Sequence, residues 1–302
     1  MAEQGDKCLV PAPYYSQFDR DLGMRAGVEI KRVHSPAMDR LSASAFEDAW
    51  DPSCKVLLLT NPSNPLGTVY HRQELESILT WAHEKNLHVI SDEIYACSVY
   101  DPRGDGDNDS GFVSCIDLVR DLGLPPSFVE RSVHTVFGFS KDFGASGLRI
   151  GCAHSLNPEL ARAWNYLGYS CAISTHTQHA FAQILDDDSF VTDLLATSRT
   201  RLARAGGLLK AELRRAGIPF VGNPTAALFL LIDLRAILRE GTWEGERELW
   251  AAAVAQGVVL NPGELCGCEE PGYFRLCFAW MRDPERGLPT AVQRLARLKT
   301  KS

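Results

Sequence analysis

Lys55-Val56-Leu57-Leu58-Leu59-Thr60 is apolar at every position from Val56 to Leu59 and runs straight into Asn61-Pro62-Ser63-Asn64-Pro65-Leu66-Gly67-Thr68. A strand without a polar face needs cover on both sides, the situation of a parallel strand inside an α/β sheet. The neighbouring segments fit that plan. From about Gln73 to Lys85, Leu75, Ile78, Leu79 and Ala82 recur at helical spacing. Leu87–Ser91, Ser132–Phe137 and Leu148–Ala153 read as further strands, and Lys7–Pro13 as a strand already in the middle of a fold. Strands alternating with helices predict an α/β, mainly parallel sheet with helices on both faces.

The pattern changes at about Asn157. From there to Leu213 strand signals almost vanish, and Phe190 to Leu213 predicts one long helix despite Gly206-Gly207. Beyond it, strands at Phe220-Val221, Ala227–Leu231 and Phe274–Phe278 mix with helices around Arg247–Ala255 and up to about Lys299. This predicts a smaller α+β C-terminal domain, residues 196–302, joined to a large domain of residues 1–195. The acidic, glycine-rich Asp101–Gly111 stretch reads as a surface loop.

Composition narrows the class of partner. Of 302 residues, 45% are hydrophobic and 23% charged, enough apolar material for a sizeable core. Lys and Arg number 31 against 38 Asp and Glu, a net charge of −7. Without a dense basic tract, nucleic acid and anionic membrane are excluded as principal partners. The longest apolar run, Ala226–Ile232, is far too short to span a bilayer, and no secretory signal is visible. Nine cysteines, an odd number scattered through apolar segments (Cys97, Cys115, Cys152, Cys277), predict buried free thiols in a reducing compartment. The expectation is a cytoplasmic protein that handles a small molecule.

Four segments carry candidate chemistry. The Asn61–Thr68 loop follows a buried strand, where open α/β sheets bind ligands, and its two X-Pro units stiffen the presentation of Asn64. Asp92-Glu93-Ile94-Tyr95 closes the next strand; Asp92 either caps the following helix or faces a cleft together with Tyr95. In Phe139-Ser140-Lys141-Asp142-Phe143-Gly144, Lys141 stands among Phe137, Phe139 and Phe143, and apolar surroundings suit a lysine to Schiff-base chemistry. In Phe274-Arg275-Leu276-Cys277-Phe278 a guanidinium sits in an apolar strand, either paired to an internal carboxylate or awaiting an anion it grips with two parallel hydrogen bonds. Metal signatures fail. His83 and His88 are five apart, Asp105, Asp107 and Asp109 lack the glycine and glutamate of a calcium loop, and Cys266-Gly267-Cys268 has no second pair at zinc spacing.

Taken in order, these segments resemble the pyridoxal-phosphate (PLP) enzymes of aminotransferase fold type I, class I/II, and within them the 1-aminocyclopropane-1-carboxylate (ACC) synthase branch. The resemblance extends over Leu9-Val10-Pro11-Ala12-Pro13-Tyr14-Tyr15, Phe18-Asp19-Arg20-Asp21-Leu22, Gly147-Leu148-Arg149-Ile150-Gly151 and Glu270-Pro271-Gly272-Tyr273-Phe274-Arg275, besides the loops above. It implies that the amine of Lys141 condenses with the cofactor aldehyde and later shuttles the α-proton. Asp92 is implied to pair with the pyridine nitrogen, and Asn64 and Tyr95 to bind the ring 3′-oxygen. Ser140 and Arg149 are implied on the cofactor side, with Arg149 on its phosphate, Tyr14 stacked on the ring, and Arg275 on the substrate α-carboxylate beside Asn64. It further implies an α-amino-acid substrate, S-adenosylmethionine for ACC formation, and a homodimer.

Two departures stand out. The family's N-terminal third has no counterpart here, and Gly138 stands where the family places a phosphate-binding serine three residues before the lysine. The reaction is therefore open between γ-elimination with cyclisation, transamination and C–S lysis. A catalytically impaired binding or dimerisation module is the reading from another class.

Overall fold

A computed structural model describes residues 1–101 and 111–298. The predicted loop at Asp101–Gly111 and the aspartates at 105, 107 and 109 fall almost wholly outside the described residues.

The first sheet has six strands in the order β2-β1-β3-β4-β5-β6: β1 (Lys7–Ala12), β2 (Glu29–His34), β3 (Cys54–Thr60), β4 (His88–Asp92), β5 (Val133–Gly138) and β6 (Gly151–Ser155). The first five are parallel, and β6 runs antiparallel to β5 at the edge. The sheet is thus mainly parallel, as the sequence predicts. Helices α1 (Ala43–Ala49), α2 (Arg72–Glu84), α3 (Cys115–Asp121) and α4 (Pro126–Ser132) connect its strands. Leu57 and Leu59 pack with Phe46, Leu75, Ile78, Leu79 and Leu118, while Val56 and Leu58 pack on the opposite face with Val10, Tyr14 and Phe18. The apolar run therefore has its two covers because alternate side chains face opposite ways.

The far edge differs from this. After β5, Ser146–Leu148 forms a 3-10 turn and Arg149 takes a left-handed conformation, φ 56°, so that β6 begins only at Gly151 and not at Leu148. An arginine in that region ends an extended run, which the periodicity of Leu148–Ala153 does not reveal. Every residue of β6 from Gly151 to His154 is exposed, as are most residues of α5 (Pro158–Ser170) and α6 (Thr175–Leu185). Tyr166 and Tyr169 stand 83% and 93% exposed. Among the nine free cysteines, Cys152 and Cys171 lie on this exposed side and Cys97 and Cys277 are half-buried, so of the thiols expected to be buried these four are not.

Helix α7 (Asp188–Arg215) runs unbroken through Gly206-Gly207. Gly206 is tightly packed, since a Cβ there would meet the Tyr100 hydroxyl at 3.1 Å and push that ring by a few tenths of an ångström. Its last turns carry Leu202, Leu209 and Leu213 into a second core with α8 (Trp243–Ala255), α9 (Pro284–Ala296) and the sheet β7-β9-β8, formed by β7 (Phe229–Asp233), β8 (Asn261–Pro262) and β9 (Tyr273–Cys277). Phe220 makes an isolated bridge to Ile232 in place of the expected strand. Among the described residues, no helix is long and apolar enough to cross a membrane.

Candidate active site at the sheet ends

The carboxyl ends of β3, β4 and β5 bring the predicted segments together. Asn61 N–H donates to the Asp92 carbonyl at 3.0 Å, and the Asn61 side chain accepts from Tyr70 N–H. Ser63 N–H to Thr68 O and Gly67 N–H to Ser63 O then close the proline-rich loop on itself. Gly67, at φ 72°, seats this loop against the second lobe: its carbonyl accepts from Thr225 and Ala226 N–H at 2.9 Å, and a Cβ there collides with the Phe229 carbonyl at 2.4 Å. Only glycine satisfies both demands.

That junction sets Asn64 opposite Arg275. Arg275 Nη1 donates to Asn64 Oδ1 at 2.9 Å, and the guanidinium lies over the Phe229 ring, 4.9 Å from its centroid. Arg275 Nε is buried with no partner, and among the described residues no carboxylate forms an ion pair with it. Of the two alternatives for a guanidinium in an apolar strand, the internal pair is absent among the described residues. A half-buried, half-satisfied cation held by a neutral amide is a ready receptor for a carboxylate.

Tyr95 stands edge-on to the same Phe229, ring centroids 5.4 Å apart. Its hydroxyl is driven upward in pKa by burial, with Arg275 opposing, so it remains an O–H donor at neutral pH. Asp92 lies at the end of β4 and accepts from Ile94 N–H at 3.3 Å. Burial pushes its carboxyl up to about 6, and the Lys141 ammonium is among the charges pulling it back down. Asn64, Asp92, Tyr95 and Arg275 therefore share one wall.

The structure separates the two adjacent tyrosines. Tyr14 is buried away from this wall: its hydroxyl donates to Asp19 at 3.0 Å and accepts from Arg32 Nε at 3.0 Å, and its ring closes on Gly267. Tyr15 instead lies in the fields of Asp92, Arg275 and Arg149. The structure thus sets Tyr15, one position on, and not Tyr14, beside the residues that the resemblance places around the ring. Only the direction of the chain as it leaves β1 decides between them, and no residue pattern signals it.

Lys141 also departs from expectation. It is exposed, and Phe137, Phe139 and Phe143 do not enclose its amine; Phe139 and Phe143 pack on one another and on Phe181 of α6, at 4.6 to 5.9 Å between centroids. Ser140 is half-buried. Arg149 is exposed, its Nη1 bonded to the Ser146 carbonyl at 2.8 Å. At Gly138 a Cβ meets Ile94 Cδ1 at 3.3 Å, so the glycine is packed where a serine would have to push a neighbour.

The set fits PLP in kind. Asp92 is a half-buried carboxylate for a cationic ring nitrogen, Asn64 and Tyr95 are donors for a ring oxygen, Lys141 is an exposed amine, and Arg149 is an exposed cation for phosphate.

A family model described as aminotransferase class I and II matches residues 1–295. The chain is 38% identical over 292 residues to 1-aminocyclopropane-1-carboxylate synthase 11 of Arabidopsis thaliana, across 94% of this chain and 61% of that protein. To 1-aminocyclopropane-1-carboxylate synthase 3 of Solanum lycopersicum it is 36% identical over 304 residues, across 98% of this chain and 63% of the relative. It thus spans less than two thirds of the length of these relatives. Among solved structures, Thermus thermophilus aspartate aminotransferase with maleate superposes with a TM-score of 0.82 at 25% identity, over 98% of this chain and 70% of that one. An aromatic aminotransferase from Pyrococcus horikoshii superposes at 0.84, with 24% identity, over 100% and 74%.

Proposed function

The chain belongs to the class I and II aminotransferases, a family of PLP enzymes, and from that premise we propose that it binds PLP at Lys141 and acts on an α-amino acid in the manner of an ACC synthase. Arg275 carries the reading: a guanidinium with a buried free Nε, fixed by Asn64 and Phe229 and left without an ionic partner among the described residues, is placed to grip an α-carboxylate.

When bound, PLP supplies an electron sink for the α-carbon. Arg275 and Asn64 orient the substrate by its carboxylate, so that one Cα–H bond is presented to the amine of Lys141. Lys141 takes that proton and returns it. Asp92 would hold a proton at the ring nitrogen, and the Tyr95 O–H would support the ring oxygen. Arg149 would neutralise phosphate charge from an exposed position. After proton loss, γ-elimination of a thioether from S-adenosylmethionine with ring closure is the reaction of the relatives' name; transamination and C–S lysis begin with the same proton transfer. In this reading the chain is cytoplasmic and works as a homodimer, which sedimentation tests.

One observation favours a second reading. Lys141 and Arg149 are both exposed, and β6 and α5 beside them are bare, as expected of a chain that keeps the fold as a binding or dimerisation module with impaired catalysis. A single experiment separates the two. The protein is incubated with PLP, reduced with borohydride and mapped by mass spectrometry, and products are then analysed with S-adenosylmethionine and with amino acids plus a keto acid. Modification confined to Lys141 and lost in Lys141→Ala, together with a product, supports the enzyme. Random lysine labelling and no product support the module.

A further inference from the structure

Beside the exposed amine lies a carboxylate that the chemistry above does not use. Asp142 is only 5% exposed, and its Oδ2 accepts from Cys97 N–H at 2.7 Å, while Oδ1 is buried without a partner. Cys97 lies in the 3-10 turn Ala96–Ser98, which follows Tyr95 directly. Ser98 N–H and Oγ both donate to the Tyr95 carbonyl, at 3.0 and 2.9 Å, and Ala96 N–H donates to the Glu93 carbonyl at 2.9 Å. A short chain of bonds thus connects Asp142 to the segment bearing Asp92 and Tyr95.

The lysine loop has little else to hold it there. Within Phe139–Ile150 the backbone bonds are internal: Gly144 N–H to Lys141 O, Ala145 N–H to Phe139 O, and Phe139 N–H to Ile150 O. Its aromatic side chains lean the other way, onto Phe181. Among the described residues, the side-chain hydrogen bonds that tie this loop to the exit of β4 fall on Asp142. From this we propose that Asp142 is a positioning residue, which holds the Lys141 backbone in register with Asp92 and Tyr95 through the Cys97 amide. The inference rests on the PLP reading above and assigns the register of its amine.

A carboxylate that merely filled a turn would tolerate replacement without consequence for the lysine next to it. A registering one would not, because displacement of a reacting group by about 1 Å costs orders of magnitude in rate. Asp142→Asn keeps a carbonyl oxygen for Cys97 N–H. Asp142→Ala removes it, and Asp142→Leu removes it while filling the buried volume, which covers the case in which the alanine variant does not fold.

Two readouts are taken. In the cofactor-free protein, exchange of the Cys97 amide is expected to speed up by about tenfold in the alanine and leucine variants and to stay near wild type in the asparagine variant. In borohydride trapping, PLP capture at Lys141 is expected to fall about tenfold or more in the first two, with label spreading to other lysines, and to remain within about threefold in the third. Wild-type capture at Lys141 in both the alanine and leucine variants overturns the proposal, and so does an asparagine variant as impaired as they are. Failure of the wild type itself to capture PLP at Lys141 instead refutes the reading on which this rests.

Discussion

Arg275 and Lys141 are two cations of the candidate site, and the fold treats them oppositely. Arg275 sits on β9, between a proline-stiffened loop and a phenylalanine, with a hydrogen bond already formed. Lys141 sits on an exposed loop beside an edge strand bare on both faces, and its aromatic neighbours pack elsewhere. The first half of the site is preorganised by this chain alone. The second is held to the first by Asp142. The two halves of the candidate site are therefore not equally ordered in the same chain, and the Arg275 half is the more rigid of the two.

The comparison breaks most readily at the core beside Arg275. Phe274 is fully buried in β9, and Phe274→Ala is expected to cost about 3–5 kcal/mol in urea unfolding. A loss below about 1 kcal/mol there would mean the Arg275 side is no more rigid than the other.

Next in size is a pH effect. Burial raises the Asp92 carboxyl to about 6, so the folded state binds its proton more tightly than the unfolded chain. Its contribution to stability is full below about pH 4 and is lost as pH climbs through about 6. Asp92→Asn is therefore expected to stabilise the protein at about pH 8 by about 1–3 kcal/mol and to leave it unchanged near about pH 4. Asp142, also raised to about 6, adds to the same trend, whereas burial lowers His88 and His134 from 6.5 to about 4, so that their contribution grows across that interval as pH rises. Comparing the Asn variant with wild type isolates Asp92 from the others.

Asn64→Ala comes third. It removes the acceptor from Arg275 Nη1 and is expected to cost about 1–3 kcal/mol, a loss that largely disappears when Arg275 is also replaced by Met. Smallest is the exposed side: Tyr169→Ser and Leu167→Gln are expected to change stability by no more than about 0.5 kcal/mol, measured in the same way.

How much the sequence made legible depends on how local each determinant is. The all-apolar Val56–Leu59 run demanded two covers, and the fold supplies them; Asn64 and Arg275 were legible because a stiff loop and a charged residue in an apolar strand are each anomalous on their own. The surroundings of Lys141 were not, because three phenylalanines close in sequence look like a cage until Phe181, far along the chain, draws two of them away. Tyr14 and Tyr15 are chemically identical neighbours, and a bend after β1 decides between them. The start of β6 was misplaced because Arg149 adopts a backbone conformation that hydrophobic periodicity cannot encode. Helix α7 was read correctly through its two glycines, which a leucine-rich helical stripe outweighs.

Gly67 gives position 67 a leverage out of proportion to its size. Asn64 stands on one side of that close approach and the Phe229 shelf under Arg275 on the other. One added methyl would act as a wedge at a fulcrum, prising the two lobes apart where they touch and drawing Asn64 away from Arg275 without altering either side chain. The spacing of the proposed carboxylate grip is thereby open to tuning from a position that belongs to neither of its residues.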